Sequence, residues 1–295
     1  MKVPIHKPVL IKEILSYIDF EKKRIFLDLT IGEGGHSYEI IKRMKEDSLL
    51  IGLDIDPDVL EVAKERLKTD NRRVILINDN YKNFPLVLKG LGIEKVDFIL
   101  LDLGFSSFHL RKGRGFSFDD DTSIDMRYRK NIRSGEYVIN SLGEKELTYI
   151  FKTFGEIREA KRIARKIVQE REKAPITTGK RLKEIIESLY PAYMRKGSIH
   201  PATKVFQALR IYVNKELENL KTFLSSFQNY LNKNGVVEII SYHSLEDRMA
   251  KKRFLELERE GVIKVLTKKP ITPQEEEIED NIRSRSAKLR VAKKI

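Results

Sequence analysis

Two stretches decide the fold: residues 24–37, RIFLDLTIGEGGHS, and residues 49–57, LLIGLDIDP. The first is an apolar strand-length run ending on an acid, Asp28. A turn carrying Gly32, Gly34 and Gly35 follows, and a helix is expected near Ser37–Met44. The second is another apolar strand ending on an acid, Asp54, and Pro57 opens a helix expected to reach Leu67. Outward from this pair the rhythm continues: a strand at Val74–Asn78, a helix near Pro85–Leu91 and a strand at Val96–Leu103. Short apolar runs separated by amphipathic spacers specify βαβ units, a parallel sheet covered on both faces and an α/β doubly wound architecture.

In such a sheet the crevice beyond the strand carboxyl ends binds ligands, and glycines there let the backbone approach them closely. A glycine turn alone is weak, since many strand–helix turns need one for steric reasons. Asp54 strengthens it, because an acid ending the second strand can accept both hydroxyls of a ribose. A nicotinamide fingerprint needs a third glycine where Ser37 stands, and no Walker A motif is present. S-adenosylmethionine, which carries no phosphate, suits a looser turn with an acid such as Asp28 at its entry. Asp79 and Tyr81 follow the third strand, where a carboxylate can accept from an adenine amine and a ring can pack on the base, or both can be plain turn residues.

The fourth strand ends in Leu101-Asp102-Leu103-Gly104-Phe105. Methylation of an exocyclic amine needs an acceptor that draws the amine hydrogens and localises the nitrogen lone pair. Asp102 suits that catalytic role, with Phe105 to stack on a base. The alternative is an Asp that caps a strand-to-loop turn.

Composition narrows the class. The 295 residues are 41% hydrophobic and 34% charged, which fits a folded chain rather than a disordered one. Lys and Arg number 57 against 44 acids, a formal charge of +13 that suits a polyanionic partner. With no cysteine, disulfides, thiolate nucleophiles and cysteine-ligated metals are excluded. Five histidines without a metal-binding spacing lead us to expect no metal site. No secretory signal or membrane-length apolar run is visible, so a cytoplasmic location with no membrane partner is expected.

The strand rhythm stops after the fourth strand. Residues 111–134 have loop character, and helices are expected over 157–168, Gly179–Leu189 after Thr178, and Thr203–Phe227. Val236–Ser241, Ile263–Leu266 and Leu289–Ala292 return to strand character, and the acidic run 275–280 is expected to be a solvated face. The expected organisation is a discontinuous sheet domain, 1–110 with 214–295, interrupted by a helical insert, 111–213. Arg111, Arg114 and Arg127 in the loop, with Phe116 and Tyr128 interleaved, and Arg158, Arg162 and Arg165 opposite the apolar stripe of the 157–168 helix, suit RNA contact. Ser241–Arg248 reads as a capped strand-to-helix corner facing the cleft.

Nine blocks occur in order: HKPVL (6–10), DLTIGEGGHS (28–37), GLDIDP (52–57), LLDLGFSS (100–107), RGFSF (114–118), DMR (125–127), HPATKVFQALRIYVNKEL (200–217), SYHSLEDR (241–248) and RSRSAKLRVA (283–292). Together they resemble the MraW (RsmH) family of small-subunit ribosomal RNA cytosine-N4 methyltransferases, over nearly the whole chain. The resemblance implies a class I S-adenosylmethionine-dependent methyltransferase, Rossmann-like with an inserted all-helical domain. It also implies a substrate cytidine in the decoding region of small-subunit rRNA, within the assembling or assembled subunit, and a monomer or homodimer. Cofactor contacts carry over to Gly34, Gly35, His36, Asp54, Tyr81, Asp102 and His109. His109 stands where the family usually has Gln, Tyr81 where Phe is frequent, and Asp121-Thr-Ser-Ile-Asp125 where it has a Gly-Pro turn. A methyltransferase for another RNA atom or for protein, and a non-catalytic assembly factor, are the alternatives to this reading.

Overall fold

Seven strands form one sheet, in the order β3-β2-β1-β4-β5-β7-β6. β1 (Ile25–Asp28), β2 (Leu49–Asp54), β3 (Arg73–Asn78), β4 (Val96–Asp102) and β5 (Leu231–Ser241) are parallel. β7 (Lys288–Lys294) runs antiparallel between β5 and β6 (Ile263–Val265). Period-2 alternation sends neighbouring residues to opposite faces, and both faces are buried, so the strands read as unbroken apolar runs. Leu27, Ile51, Ile99 and Val237 join one core with Phe84, Phe223, Phe227 and Phe254. Phe26, Leu50, Phe98 and Val236 join the other with Leu10, Ile14, Ile40 and Leu60. The chain leaves β1 toward β2 and β3 and returns on the other side at β4, which makes the β1/β4 junction the switch point where α/β sheets bind ligands.

The computed structural model describes residues 7–68, 73–104, 108, 113–117, 121–191 and 200–295. The chain divides into two compact units, Met1–Ser106 with Glu218–Ile295, and Ser107–Leu217. Phe105, His109 and Arg111 lie outside the described residues.

In the sheet unit, α2 (Gly35–Ile41), α3 (Pro57–Arg66) and α4 (Phe84–Gly90) follow the first three strands. Asp56 caps α3 by accepting from the Asp58 N–H. Three elements differ from the sequence expectation. A short helix, α1 (Ile11–Ser16), precedes β1. β5 begins five residues early, at Leu231, because Asn234 adopts a positive φ and the ladder with β4 shifts register between Val96 and Phe98, so the strand passes through the Asn-Gly turn instead of starting after it. The acidic run forms a helix, Glu275–Asp280, and Glu277 is not merely solvated: it accepts from the Leu10 N–H at 2.7 Å.

The second unit is helical: α5 (Gly135–Ser141), α6 (Glu144–Gly155), α7 (Ala160–Lys173), α8 (Gly179–Glu187) and α9 (Pro201–Asn214). Leu147, Ile150, Phe151, Ile163, Ile167, Leu182, Val205 and Leu209 are buried in it. Thr178 caps α8 as its position suggested. The single helix expected over Thr203–Phe227 is two: Lys215 takes a left-handed conformation, φ 53°, after α9, and α10 (Glu216–Ser226) starts afresh. The helix expected from residue 157 begins at Ala160 and runs on to Lys173. Glu156, at φ 50°, ends α6 and leaves Ile157 and Arg158 in the connecting turn. No helix among the described residues is long and apolar enough to cross a membrane.

Candidate active site

The glycine turn after β1 is stitched to both neighbouring strands. The Ile31 N–H donates to the Leu53 carbonyl (2.8 Å), the Leu29 N–H to the Leu100 carbonyl (2.9 Å), and the Asp102 N–H to Thr30 Oγ1 (2.8 Å). Gly34 stands at φ 77°, where a Cβ is disfavoured, and its carbonyl starts α2. Gly52 in β2 makes room beneath: a Cβ there would lie 2.1 Å from Ile31 Cδ1. The turn is thus set by sterics on one side and by hydrogen bonds on the other.

Four carboxylates end or follow these parallel strands. Asp54 accepts from the Gly32 and Asp56 N–H groups, each at 2.9 Å. Asp28 is buried and accepts from Ser37 Oγ at 2.6 Å. Burial pushes its carboxyl up to about 6, against the opposing pull of the Ser37 hydroxyl and His36. Asp79 accepts from the Asn80 N–H and Asn83 Nδ2. Asp102 accepts from the Gly104 N–H at 3.2 Å. A concentration of acids at the switch point repels a pyrophosphate and favours a cationic, phosphate-free ligand. The residues present therefore fit a sulfonium nucleoside and not a dinucleotide.

His36 lies in the first turn of α2, 8% exposed. Its Nε2 is 2.8 Å from the Val9 carbonyl, an oxygen that can only accept, so Nε2 carries the proton. Nδ1 then faces Asp102 Oδ2 at 3.9 Å. Tyr81 opens a 3₁₀ turn after β3, with its ring edge-on to Phe223 at 6.4 Å. Gly34, Gly35, His36, Asp54, Tyr81 and Asp102 thus all sit at the carboxyl ends of β1 to β4 or on the segments that follow them, within one unit.

Sequence reasoning passed over Tyr242 as a site residue. The block Ser241–Arg248 does form a capped corner: His243 accepts from the Glu246 N–H, Glu246 from the Tyr242 N–H at 2.9 Å, and α11 (Ser244–Arg259) follows. Tyr242 also reaches toward Asp102: its ring and hydroxyl lie against Gly104, whose N–H donates to the Asp102 carboxylate. The block's unusual polarity was the only sign of this.

In the helical unit the basic residues differ in how they are held. Arg158 and Arg162 are exposed, whereas Arg165 is exposed but ion-paired with Glu144 at 3.4 Å. Arg114 lies over the Phe108 ring, 5.9 Å from its centroid. Arg127 is turned inward: it pairs with Asp125 and donates to the Lys130 and Ile132 carbonyls, so it clamps its own loop. Phe116 and Tyr128 stack at 5.5 Å. An open polar cavity of about 680 Å³ is lined by Arg114, Ser123, Arg127, Glu136 and Tyr137 among others.

Compared with known proteins, residues 4–295 match the model of the MraW methylase family. Relatives named Ribosomal RNA small subunit methyltransferase H are 44% identical over 291 residues in Sulfurihydrogenibium sp. (strain YO3AOP1) and in Persephonella marina (strain DSM 14350 / EX-H1). Each alignment covers 98% of this chain and 99% of the relative. Among solved structures, a Streptococcus mutans protein in complex with SAH aligns over 99% of this chain and 100% of its own, with 12% identity and a TM-score of 0.43.

Proposed function

Since the chain belongs to the MraW methylase family and is an S-adenosylmethionine-dependent methyltransferase, we propose that it methylates the exocyclic N4 amine of a cytidine in the decoding region of small-subunit ribosomal RNA. The observation that carries the choice of an amine is Asp102. Its carboxylate ends β4 at the switch point, oriented by the Gly104 N–H and flanked by His36 and Tyr242. A cytosine amine is a poor nucleophile because its lone pair is delocalised into the ring. Asp102 accepts a hydrogen bond from that amine, which draws the lone pair out of conjugation, and then the proton that the methylated nitrogen sheds. That interaction strengthens as the nitrogen pyramidalises, so it lowers the barrier more than it tightens substrate binding.

S-adenosylmethionine, when bound, supplies an electrophilic methyl group on a sulfonium that departs as a neutral thioether. Gly34, Gly35 and His36 let the turn approach it, Asp54 accepts its ribose hydroxyls, and Tyr81 packs beside its base. Arg114, Arg158, Arg162 and Arg165 contact RNA phosphates, and Phe116 and Tyr128 offer a stacking surface. The net charge of +13 supports a polyanionic substrate.

Methyl-labelled cofactor incubated with small subunits from cells lacking the enzyme tests this reading. Digestion of the rRNA and mass mapping should place one label on N4 of a single decoding-region cytidine. Label on another base atom, or on ribosomal protein, would overturn it.

A further inference from the structure

The corner after β5 has a geometry that its capping role does not require. Asp102 pairs with Ile240 across the β4–β5 ladder, and the Leu103 N–H donates to the Ile240 carbonyl at 3.0 Å. Tyr242, two residues on, therefore stands over the chain as it leaves β4. A Cβ on Gly104 would lie 2.7 Å from Tyr242 Cε2, 3.0 Å from Cζ and 3.3 Å from the hydroxyl oxygen, so the hydroxyl end of the ring fills the space a side chain would need. Glu246, 2% exposed, fixes the corner by accepting from the Tyr242 N–H. Burial, and after it the Asp102 carboxylate, pushes the phenol well above its usual range, with Glu246 and Glu277 adding to the effect. The hydroxyl keeps its proton at any working pH and is a donor. Asp102 itself is faced by this hydroxyl, by the Gly104 N–H, by His36 Nδ1 at 3.9 Å, and by the charge of Asp28.

The geometry points to Tyr242 as a positioning residue for methyl transfer, one that donates its hydroxyl hydrogen to Asp102 and so holds that carboxylate in a single orientation toward the crevice. The inference rests on Asp102 being the acceptor for the substrate amine. Gly104 belongs to the same device, since only a residue without a side chain lets the phenol reach Asp102.

Single-turnover methylation of undermodified small subunits at saturating cofactor, followed from pH 5 to 9, provides the test. Tyr242→Phe should leave cofactor affinity and the KM for subunits within about twofold. It should move the acidic limb of the rate profile up by roughly one pH unit and cost about tenfold in rate below that limb. A purely structural tyrosine would lower activity without moving the limb. Asp102→Asn should be slow, and adding Tyr242→Phe to it should change nothing further. Replacing Tyr242 by 3-fluorotyrosine keeps the shape but strengthens the donor, so the limb should move down. Parent-like profiles for both Tyr242 variants, or an equal loss from Tyr242→Phe with Asp102 present and with Asn in its place, would overturn the inference while leaving Asp102 as acceptor. Full activity of Asp102→Asn would overturn the acceptor reading and this one with it. If Tyr242→Phe fails to fold, an unmoved limb in the fluorotyrosine enzyme decides against the proposal.

Discussion

Asp54 is oriented by its own backbone: one oxygen takes the Gly32 N–H and the other the Asp56 N–H. Asp54→Ala therefore removes the ribose acceptor and also the tie between the glycine turn and β2. Hydrogen bonds to charged groups are worth roughly 1.5–3 kcal/mol each, so cofactor affinity measured by calorimetry should fall at least about tenfold. Unchanged affinity would remove Asp54 from the site. Asp28 makes a different prediction. Its folded carboxyl is raised to about 6 by burial, against an ordinary value near 3.8, so the folded state favours the protonated form. That stabilisation is fully present below the ordinary value and is lost as pH rises through about 6. Asp28→Asn imitates the neutral acid and can still accept from Ser37. It should match the parent in urea denaturation at pH 4 and exceed it at pH 8 by up to about 3 kcal/mol. A gain that is the same at both pH values would show that the buried charge is not its cause.

β2 shows how one glycine couples a strand to the turn above it. A Cβ on Gly52 would meet Ile31 Cδ1 at 2.1 Å and Leu76 Cδ2 at 2.8 Å. Gly52→Ala should cost about 1–3 kcal/mol of stability by overpacking, seen as a lower urea midpoint. Ile31→Val deletes the atom that clashes most, so it should recover part of that loss in the double variant while destabilising on its own. At this scale the sequence was readable where local signals decide. The strands ending on Asp28, Asp54 and Asp102 announce themselves by apolar runs, and the helix starts by Pro57 and by the capping residue Thr178. It was unreadable where tertiary packing decides. Lys215 breaks the long helix although it is neither glycine nor asparagine, and α1 is too short to show a period. The start of β5 is set by a bulge opposite β4, not by its own residues. Tyr242 lies more than a hundred residues from Asp102 in sequence, and only the β4–β5 pairing brings them together.

The whole molecule carries 57 basic against 44 acidic residues, an imbalance that matters for binding a polyanion and not for the fold. The three arginines read on the 157–168 helix are not equivalent. Arg158 and Arg162 are exposed in and just beyond the turn that precedes α7, whereas Arg165 already answers Glu144. Each phosphate contact to a single strand releases counterions and contributes about −0.7 to the slope of log affinity against log salt. Reversing Arg158, Arg162 and Arg165 to Glu should weaken RNA binding and flatten that slope by up to about two. Arg165→Glu alone should do least to the RNA. Breaking its pair costs little, because exposed ion pairs contribute roughly 0–1 kcal/mol, so the fold should survive all three changes. Cofactor affinity should also stay intact, since no cofactor residue lies on α7. Filter binding across a salt series, beside calorimetry with S-adenosylmethionine, separates the two effects. An unchanged slope would move the RNA contact off this turn and helix, toward the basic stretch Arg283–Lys294 at the end of the chain, and a parallel loss of cofactor binding would show damage to the fold instead of loss of a contact surface.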